Sequence, residues 1–389
     1  MILAALLLPV AIVAIVLAVQ RLRLPAFLAL MIVVVAYGWA ANMTWQSIGK
    51  AFGLGFVTAL EQTGLLVVAG SLAGTLLLKR PVGAAGAVVL GAIGGLGGSA
   101  AGALALLQPA GRAVALALAI LTVQALVVPS PLAVAAMSVL KADLRTMLWV
   151  GGPIATIVLI ALWYRSGRAD PSKTSSAWRW LAILVPLALL IAQSVAQMPT
   201  EPLGKGGARE FYTGISKPLI LAVLAIALAM LLSRRWQPEA LASTDWAPLL
   251  LTVGAAGGFA RVLDETGMAE LLAEHALDPR LGLLAPFLAA AIVKTLQGNS
   301  LSAVLTASGM IAPMLPALGL DTAAGHALAA AAVGAGSIAV VHLNDPLFWI
   351  AADMAKLSPG RALGLVTVGS AVISIAVLTM LMALRLAMQ

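Results

Sequence analysis

The stretch Val341-His342-Leu343-Asn344-Asp345-Pro346 decides how the rest of this sequence is interpreted. It places a histidine, an amide, a carboxylate and a helix-breaking proline between residues 327–341, which carry no charge, and the apolar run 347–352. Irregular backbone inside a membrane is tolerated only where protein buries it or a water-filled cavity meets it. The stretch therefore predicts a helix break within a membrane segment, and such breaks are typical of binding sites.

The composition is that of a polytopic membrane protein. Of 389 residues, 62% are hydrophobic and 10% are charged, whereas a typical soluble domain has about 25% charged residues. The first apolar segment is interpreted as a retained span rather than a signal peptide, because its basic residues, Arg21 and Arg23, follow it. The net charge is +8, and the basic residues that produce it lie between apolar segments. We therefore attribute this charge to orientation in the membrane and not to nucleic-acid binding.

Several kinds of chemistry are excluded by what the sequence lacks. It has no cysteine and only three scattered histidines, so we expect no disulfide, no thiolate nucleophile and no metal site. No GxxxxGK[ST] phosphate loop occurs, so ATP-driven pumping has no support. We therefore expect no cofactor and no enzyme activity, and transport driven by an ion gradient is the leading hypothesis.

Ten apolar runs approach the ~20 residues that cross a bilayer. The predicted spans are 2–19, 25–42, 64–78, 114–140, 147–163, 180–197, 218–232, 247–263, 323–355 and 363–384. Two further apolar segments, 82–107 and 283–315, are interrupted by glycine-rich or polar tips at 94–99 and 297–300 and are predicted to be re-entrant hairpins. Residues 44–62 are predicted to lie along the membrane interface as an amphipathic helix.

The two halves of the chain match weakly at an offset of 215 residues. At this offset Ser130-Pro131 matches Asp345-Pro346, and Lys141 matches Lys356. Because each half has an odd number of spans, the second copy would be inverted in the membrane. The predicted fold is an all-α polytopic membrane protein, an inverted repeat of five spans plus one re-entrant hairpin each, with broken helices at the midplane. The predicted domains are a first inverted repeat at 1–163, a linker at 164–178 and a second inverted repeat at 179–389.

Both helix breaks have the residues of a helix start. Ser130 and Asp345 are good N-caps, and the proline after each suits the first helical position. The nine residues that follow would extend roughly 14 Å, so the helix N-termini would point toward the membrane centre and favour an anion there. In the alternative reading, the nineteen residues 323–341 cross the membrane alone and leave Asp345 as a cap at the surface.

Charged and titratable residues near the second break are the strongest candidates for function. Lys294 precedes the second hairpin tip by one turn and, if buried, needs either a substrate carboxylate or Asp345 as its partner; the alternative is snorkelling to the interface. A histidine exchanges protons near neutral pH, but a lone His342 is as often a hydrogen-bonded structural residue. Three acidic residues at the edges of apolar segments are expected to be solvated: Glu61, Asp264 and Glu265.

Two strings resemble the gluconate permease family. Residues 294–307, beginning Lys294-Thr295-Leu296-Gln297-Gly298-Asn299-Ser300, are similar to that family's second hairpin, and residues 342–349 are similar to its His-x-Asn-Asp-x-x-Phe-Trp string. This chain departs from the family at Asn299-Ser300 and at Pro346-Leu347. The resemblance implies a proton-coupled symporter of the ion transporter superfamily that takes up gluconate or a related sugar acid or small hydroxy carboxylate.

The resemblance also implies the functional residues and the surroundings. Proton coupling is expected at Asp345 and His342. Substrate binding is expected from the resemblance at Lys294, Gln297, Gly298, Thr306 and Asn344. Asn299 and Ser300 are expected to join them because they lie at the hairpin tip, and Gly98, Ser99 and Ser130 are added on the repeat argument alone. The expected partners are a small organic anion, a proton and the lipid bilayer of a bacterial cytoplasmic (inner) membrane, with a homodimer as the family's expected state.

Three other functions stay open at this point. The first is a sodium-coupled carboxylate transporter of the same superfamily. The second is a membrane-embedded lipid enzyme that uses His342 and Asp345 as acid and base. The third is a passive channel, which transport against a gradient would exclude.

Overall fold

The chain folds entirely into helices and short turns. A computed structural model describes residues 2–77, 82–166, 177–233, 246–268, 273–274 and 277–388, and no β-strand occurs within these ranges. The prediction of an all-α polytopic membrane protein is therefore confirmed.

The helix bounds follow the apolar segments of the sequence closely. The first half contains α1 Ile2–Gln20, α2 Ala26–Ala40, α3 Trp45–Ala59, α4 Leu65–Leu77, α5 Ala84–Gly95, α6 Ala100–Leu106, α7 Ala113–Leu126, α8 Pro131–Leu140 and α9 Leu144–Arg165. The second half contains α10 Leu181–Ala196, α11 Gly207–Ile215, α12 Pro218–Ser233, α13 Ala247–Asp264, α14 Leu284–Gln297, α15 Ser300–Ile311, α16 Ala323–Gly336, α17 Pro346–Met354, α18 Pro359–Ala362 and α19 Val368–Ala387.

Fewer helices than the ten predicted spans are long enough to cross a membrane on their own. Within the described ranges there are six such helices, or seven when α11 and α12, bent by 68°, count as one span. The other three predicted spans, 2–19, 25–42 and 323–355, contain the shorter apolar helices Leu7–Gln20, Ala26–Ala40 and Ala323–Gly336.

One prediction about the first half is wrong. Helices α3 and α4 are continuous, because the π-helical turn Leu60–Gly64 joins them into one 33-residue helix, Trp45–Leu77. Residues 44–62 therefore do not form a separate interfacial helix, and Glu61 does not lie at the edge of a segment. The physical reason is tertiary packing: Gly55 of α3 lies directly against the backbone of Gly257 in α13, which holds this polar part of the helix against another span.

The two predicted hairpins each consist of a helix, a tight turn and a second helix. In the first hairpin, α5 and α6 are joined through Gly98, whose φ is +70°, and Ser99 caps α6 by accepting a hydrogen bond from Gly102 N. In the second hairpin, α14 and α15 are joined through Gly298, also at φ +70°, and Asn299 caps α15. The two tips thus have the same left-handed glycine followed by an N-cap.

The two predicted helix breaks are also present. Ser130 caps α8 and Asp345 caps α17, and each cap is followed by proline at the first helical position. Helix α16 ends at Gly336, so at 1.5 Å per residue it is roughly 21 Å long. The alternative reading, in which 323–341 crosses the membrane as one helix, is therefore wrong.

The two hairpins and the two broken helices pack against one another across the halves of the chain. Helix α15 packs on α8, α17 packs on α6, and α7 and α16 are in contact with each other. At this last contact Gly334 approaches the carbonyl oxygen of Ala125 so closely that a Cβ atom would clash with it. The fold thereby brings both hairpin tips and both breaks into one packed core.

Candidate functional site

A buried ion pair joins the second hairpin to the second break. The Nζ atom of Lys294 lies 2.5 Å from Oδ2 of Asp345, and it also donates to the carbonyl oxygen of Gly298 at 2.6 Å. The Lys294 side chain is 0% exposed and that of Asp345 is 10% exposed. The snorkelling alternative for Lys294 is therefore wrong, and of its two predicted partners the structure shows Asp345.

The helix ends explain why these two charges are tolerated inside the protein. Lys294 lies in the last turn of α14, where a cation is favoured by the helix dipole, and Asp345 lies at the N-terminus of α17, where an anion is favoured. The other carboxylate oxygen of Asp345 accepts a hydrogen bond from Leu347 N at 2.8 Å. Each charge therefore has both an ionic partner and a helix end, which a buried ion pair needs in order to be stable.

His342 and Asn344 hold the break against the same hairpin. The Nε2 atom of His342 lies 2.8 Å from the carbonyl oxygen of Thr295, so this nitrogen carries the proton and donates. The Asn344 amide donates to the carbonyl oxygens of Thr295 at 3.2 Å and Leu296 at 3.3 Å. A Cβ atom at Gly298 would lie only 2.5 Å from the Asn344 carbonyl oxygen, so glycine is needed for this approach.

Two atoms of this site are buried without a hydrogen-bond partner. They are Nδ1 of His342 and Oδ1 of Asn344; His342 is 1% exposed and Asn344 is 0% exposed. Unsatisfied buried polar atoms are costly and rare in native proteins. These two acceptors, on residues separated by Leu343 in the chain, are what a hydroxyl-bearing ligand or a water molecule would satisfy. We call Lys294, Gly298, His342, Asn344 and Asp345 the charged cluster.

The remaining predicted residues of the second hairpin lie around its tip. Gln297 is buried and accepts a hydrogen bond from the Ser302 hydroxyl at 2.7 Å. Asn299 is exposed, and its side-chain oxygen accepts from Leu301 N and Ser302 N. Ser300 is half-buried in the first turn of α15. Thr306 lies seven residues beyond Asn299, or ~10 Å along the helix, and is the most distant of the predicted set.

The predicted first-half residues form a separate, uncharged cluster. The Ser130 hydroxyl donates to the carbonyl oxygen of Gln124 at 2.8 Å, and the Gln124 amide donates to the carbonyl oxygen of Gly98 at 2.8 Å. The first break is thus tied to the first hairpin tip, and we call Gly98, Gln124 and Ser130 the neutral cluster. Ser99 lies next to it as the cap of α6.

Sequence reasoning missed Gln124. This amide is 2% exposed in helix α7, whose only other polar residue is Thr122, and a polar side chain within a membrane segment is a sign of a specific partner. That partner, the Gly98 carbonyl, lies 26 residues earlier in the chain, so only the fold identifies it. No group of three or more histidine or acidic residues that could hold a metal occurs within the described ranges.

Comparison with known proteins identifies the family. The sequence model of the GntP family permeases matches residues 165–387, more than half of the chain, while no curated protein matches the sequence. The matched region runs from the end of α9 into α19 and includes the whole charged cluster. It agrees with the resemblance of the hairpin and break strings to the gluconate permeases. The chain therefore belongs to the GntP permease family, and it is a multi-pass membrane transporter.

Proposed function

We propose that this protein is a proton-coupled symporter for gluconate or a related sugar acid or small hydroxy carboxylate. The observation that carries the proposal is the Lys294–Asp345 ion pair, buried beside the unsatisfied acceptors His342 Nδ1 and Asn344 Oδ1. A cation that can be released from an internal carboxylate supplies a site for a carboxylate ligand. Neighbouring acceptors supply sites for its hydroxyl groups.

Protonation of Asp345 would couple the proton to the substrate. A neutral Asp345 no longer compensates the charge of Lys294, so the ammonium group becomes available to the carboxylate of the substrate. The N-terminus of α17 lies beside Asp345 and also favours an anion. Substrate hydroxyls would then donate to Asn344 Oδ1 and reach the polar side chains of Asn299 and Ser300 at the hairpin tip.

The order of events follows from the requirement that Lys294 keep one anionic partner. With Asp345 ionised the ion pair is closed and the substrate carboxylate is excluded. With Asp345 protonated, binding of the substrate restores a partner for Lys294. The proton and the sugar acid are thereby bound together, which is what symport requires.

We also propose the predicted domain division, with repeats at 1–163 and 179–389 inverted in a bacterial cytoplasmic membrane. The matched hairpin tips at Gly98 and Gly298 support it, as do the matched caps Ser130 and Asp345. Alternating access would come from movement of the hairpins and broken helices against the other spans.

Uptake into proteoliposomes tests the proposal. Purified protein is reconstituted and given gluconate or glycerate, with and without an imposed proton gradient. We expect accumulation above the equilibrium level only with the gradient, and no change when sodium is replaced by potassium at fixed pH. Accumulation that follows sodium instead would favour the sodium-coupled alternative, and equilibration without accumulation would indicate a channel.

A further inference from the structure

Glu61 is a carboxylate within a long membrane helix, at a place where the helix changes its hydrogen bonding. It lies in the π turn Leu60–Gly64 inside the 33-residue helix Trp45–Leu77. π turns inside α-helices are rare and are found frequently at functional sites. Ionisable side chains within membrane segments are costly and therefore indicate function.

The packing of neighbouring helices places Glu61 alongside a candidate membrane span. Helix α13 is an 18-residue candidate span, and it packs on α3 and the π turn. Gly55 lies against Gly257 near the middle of α13, and a Cβ at Gly64 would lie 3.3 Å from Leu250 near its start. Glu61 lies between these two levels, so it falls within the length of this span and not beyond its end.

The surface around Glu61 is largely apolar and carries no other charge. Its large exposed neighbours along the helix are Leu54, Val57 and Leu65, which are 51%, 62% and 38% exposed; the uncharged Thr58 and Gln62 are exposed as well, and so is Glu61 itself. Within the described ranges Glu61 takes part in no ion pair. An ionised carboxylate is costly on such a surface, whereas the protonated form is tolerated.

The charged groups on the packed elements do not supply a partner. On its own helix the nearest is Lys50, three turns away. On α13, Arg261 donates to Asp264 and Glu265 at 2.6 Å each. Helices α4, α6 and α12, which also pack on the π turn, contain no charged residue.

The π turn also contacts the first hairpin. It packs on α6, and a Cβ at Gly102 would lie 3.7 Å from the carbonyl oxygen of Gln62. Ser99, the cap of α6, accepts a hydrogen bond from Gly102 N. A change of charge at Glu61 would therefore occur beside the tip of the hairpin that carries the neutral cluster.

We propose that Glu61 is a second proton-binding carboxylate of the transport cycle, separate from the charged cluster. Its carboxylate takes one proton from water to become a carboxylic acid, and returns it to water on release; no other bond changes. The proposal rests on the proton-coupled transport proposed above. It assigns to the first half a titratable group that the neutral cluster lacks.

The first experiment detects protonation without transport. Dicyclohexylcarbodiimide dissolves in membranes and reacts with protonated carboxyl groups in apolar surroundings. Reconstituted protein is treated over a range of pH, digested and analysed by mass spectrometry for the peptide that contains Glu61. We expect labelling that decreases as the pH rises and is absent in Glu61→Gln, with no comparable labelling at Glu210, an exposed acid on α11.

The second experiment separates coupling from folding. We expect Glu61→Gln to retain exchange of labelled for unlabelled substrate at equal concentrations, which needs no net proton movement, and to lose accumulation driven by a proton gradient. Glu61→Asp should restore part of the accumulation, and the control Glu210→Gln should resemble the wild type. Undiminished accumulation in Glu61→Gln would contradict the proposal, and so would loss of exchange as well as accumulation in both Glu61→Gln and Glu61→Asp, which would indicate a structural role.

The outcomes also distinguish this proposal from the proposed function. If Glu61 is labelled as expected but accumulation follows sodium, proton symport is wrong and proton binding at Glu61 stands. If accumulation follows protons while Glu61 is unlabelled at every pH and Glu61→Gln accumulates normally, the assignment of Glu61 is wrong.

Discussion

At the scale of single residues, the buried Lys294–Asp345 pair constrains the stability of the second half and is the centre of the proposed proton coupling. Each charge is buried, so neither can lose its partner without becoming an uncompensated charge inside the protein. Such losses are far more costly than the net contribution of the intact pair. The pair is thus a constraint that the protein can relax only by protonating Asp345 or by binding another anion.

A double-mutant cycle tests this constraint. Lys294→Met and Asp345→Asn should each destabilise the protein by about 3–5 kcal/mol, because each leaves one buried charge unpaired. The double variant should recover much of the loss, because both charges are gone. Thermal unfolding of the purified proteins in detergent gives the comparison, and strictly additive losses would contradict a direct coupling of the two residues.

The double variant, Lys294→Met with Asp345→Asn, should be stable but should not transport substrate. Without Lys294 the substrate carboxylate has no cation, and without Asp345 no proton is bound at this site. We therefore expect a folded protein that neither exchanges nor accumulates gluconate in proteoliposomes. Accumulation by the double variant would remove both residues from the proposed coupling mechanism.

At the scale of structural elements, the hairpin tip depends on the left-handed Gly298. Its φ of +70° costs an L residue roughly 1–2 kcal/mol, and an added methyl group would also meet the Asn344 carbonyl oxygen. Gly298→Ala should therefore separate the hairpin from the break and abolish uptake. Gly309→Ala is the matched control in the same hairpin, because nothing lies within 4 Å of a Cβ atom there.

The measurement for this pair is uptake together with expression level in membranes. Gly309→Ala should be inserted and folded like the wild type and should take up substrate like it, since a helix interior favours alanine over glycine. Normal uptake by Gly298→Ala would mean that the contact between the tip and Asn344 is not required for transport.

The elements differ in how well the sequence predicted them. Both breaks were predicted because a cap followed by proline is a local signal, as at Ser130 and Asp345. The continuity of Trp45–Leu77 was not predicted, because the polar residues near Glu61 interrupt the hydropathy and the packing of this part of the helix against α13 and other helices is tertiary. The end of α16 at Gly336 was also not predicted, since 337–341 is as apolar as the helix before it.

The candidate site divides in the same way. Lys294 and Asp345 were each predicted from the cost of a charge in an apolar segment, with a direct pair as one of two alternatives. Gln124 was missed, because its partner, the Gly98 carbonyl, is brought near it only by the fold. A pattern of residue types predicts which side chains need partners, whereas the fold determines which partners they have.

At the scale of the whole molecule, the relation between the halves sets the membrane topology. Lys141 and Lys356 are both exposed and both left-handed, with φ of 55° and 50°, just after helices α8 and α17. If the repeats are inverted, these two corresponding positions lie on opposite sides of the membrane.

Cysteine labelling tests this arrangement, and the chain has no native cysteine to interfere. Each of Lys141→Cys and Lys356→Cys is treated with a membrane-impermeant maleimide, in intact cells and in inside-out vesicles. We expect the two positions to react from opposite sides of the membrane. Reaction of both positions from the same side would contradict the inverted repeat.

The close approach of Gly334 to Ala125, and of Gly151 to Leu126, leaves no compressible side chain where the two broken helices and α9 meet. Backbone in direct contact cannot yield by a change of rotamer, so a displacement of one broken helix is passed to the other. The two halves of the chain are therefore expected to move together at this contact. Neither half then has much freedom to move alone, and in the proposed proton symport this would limit the leak of protons without substrate.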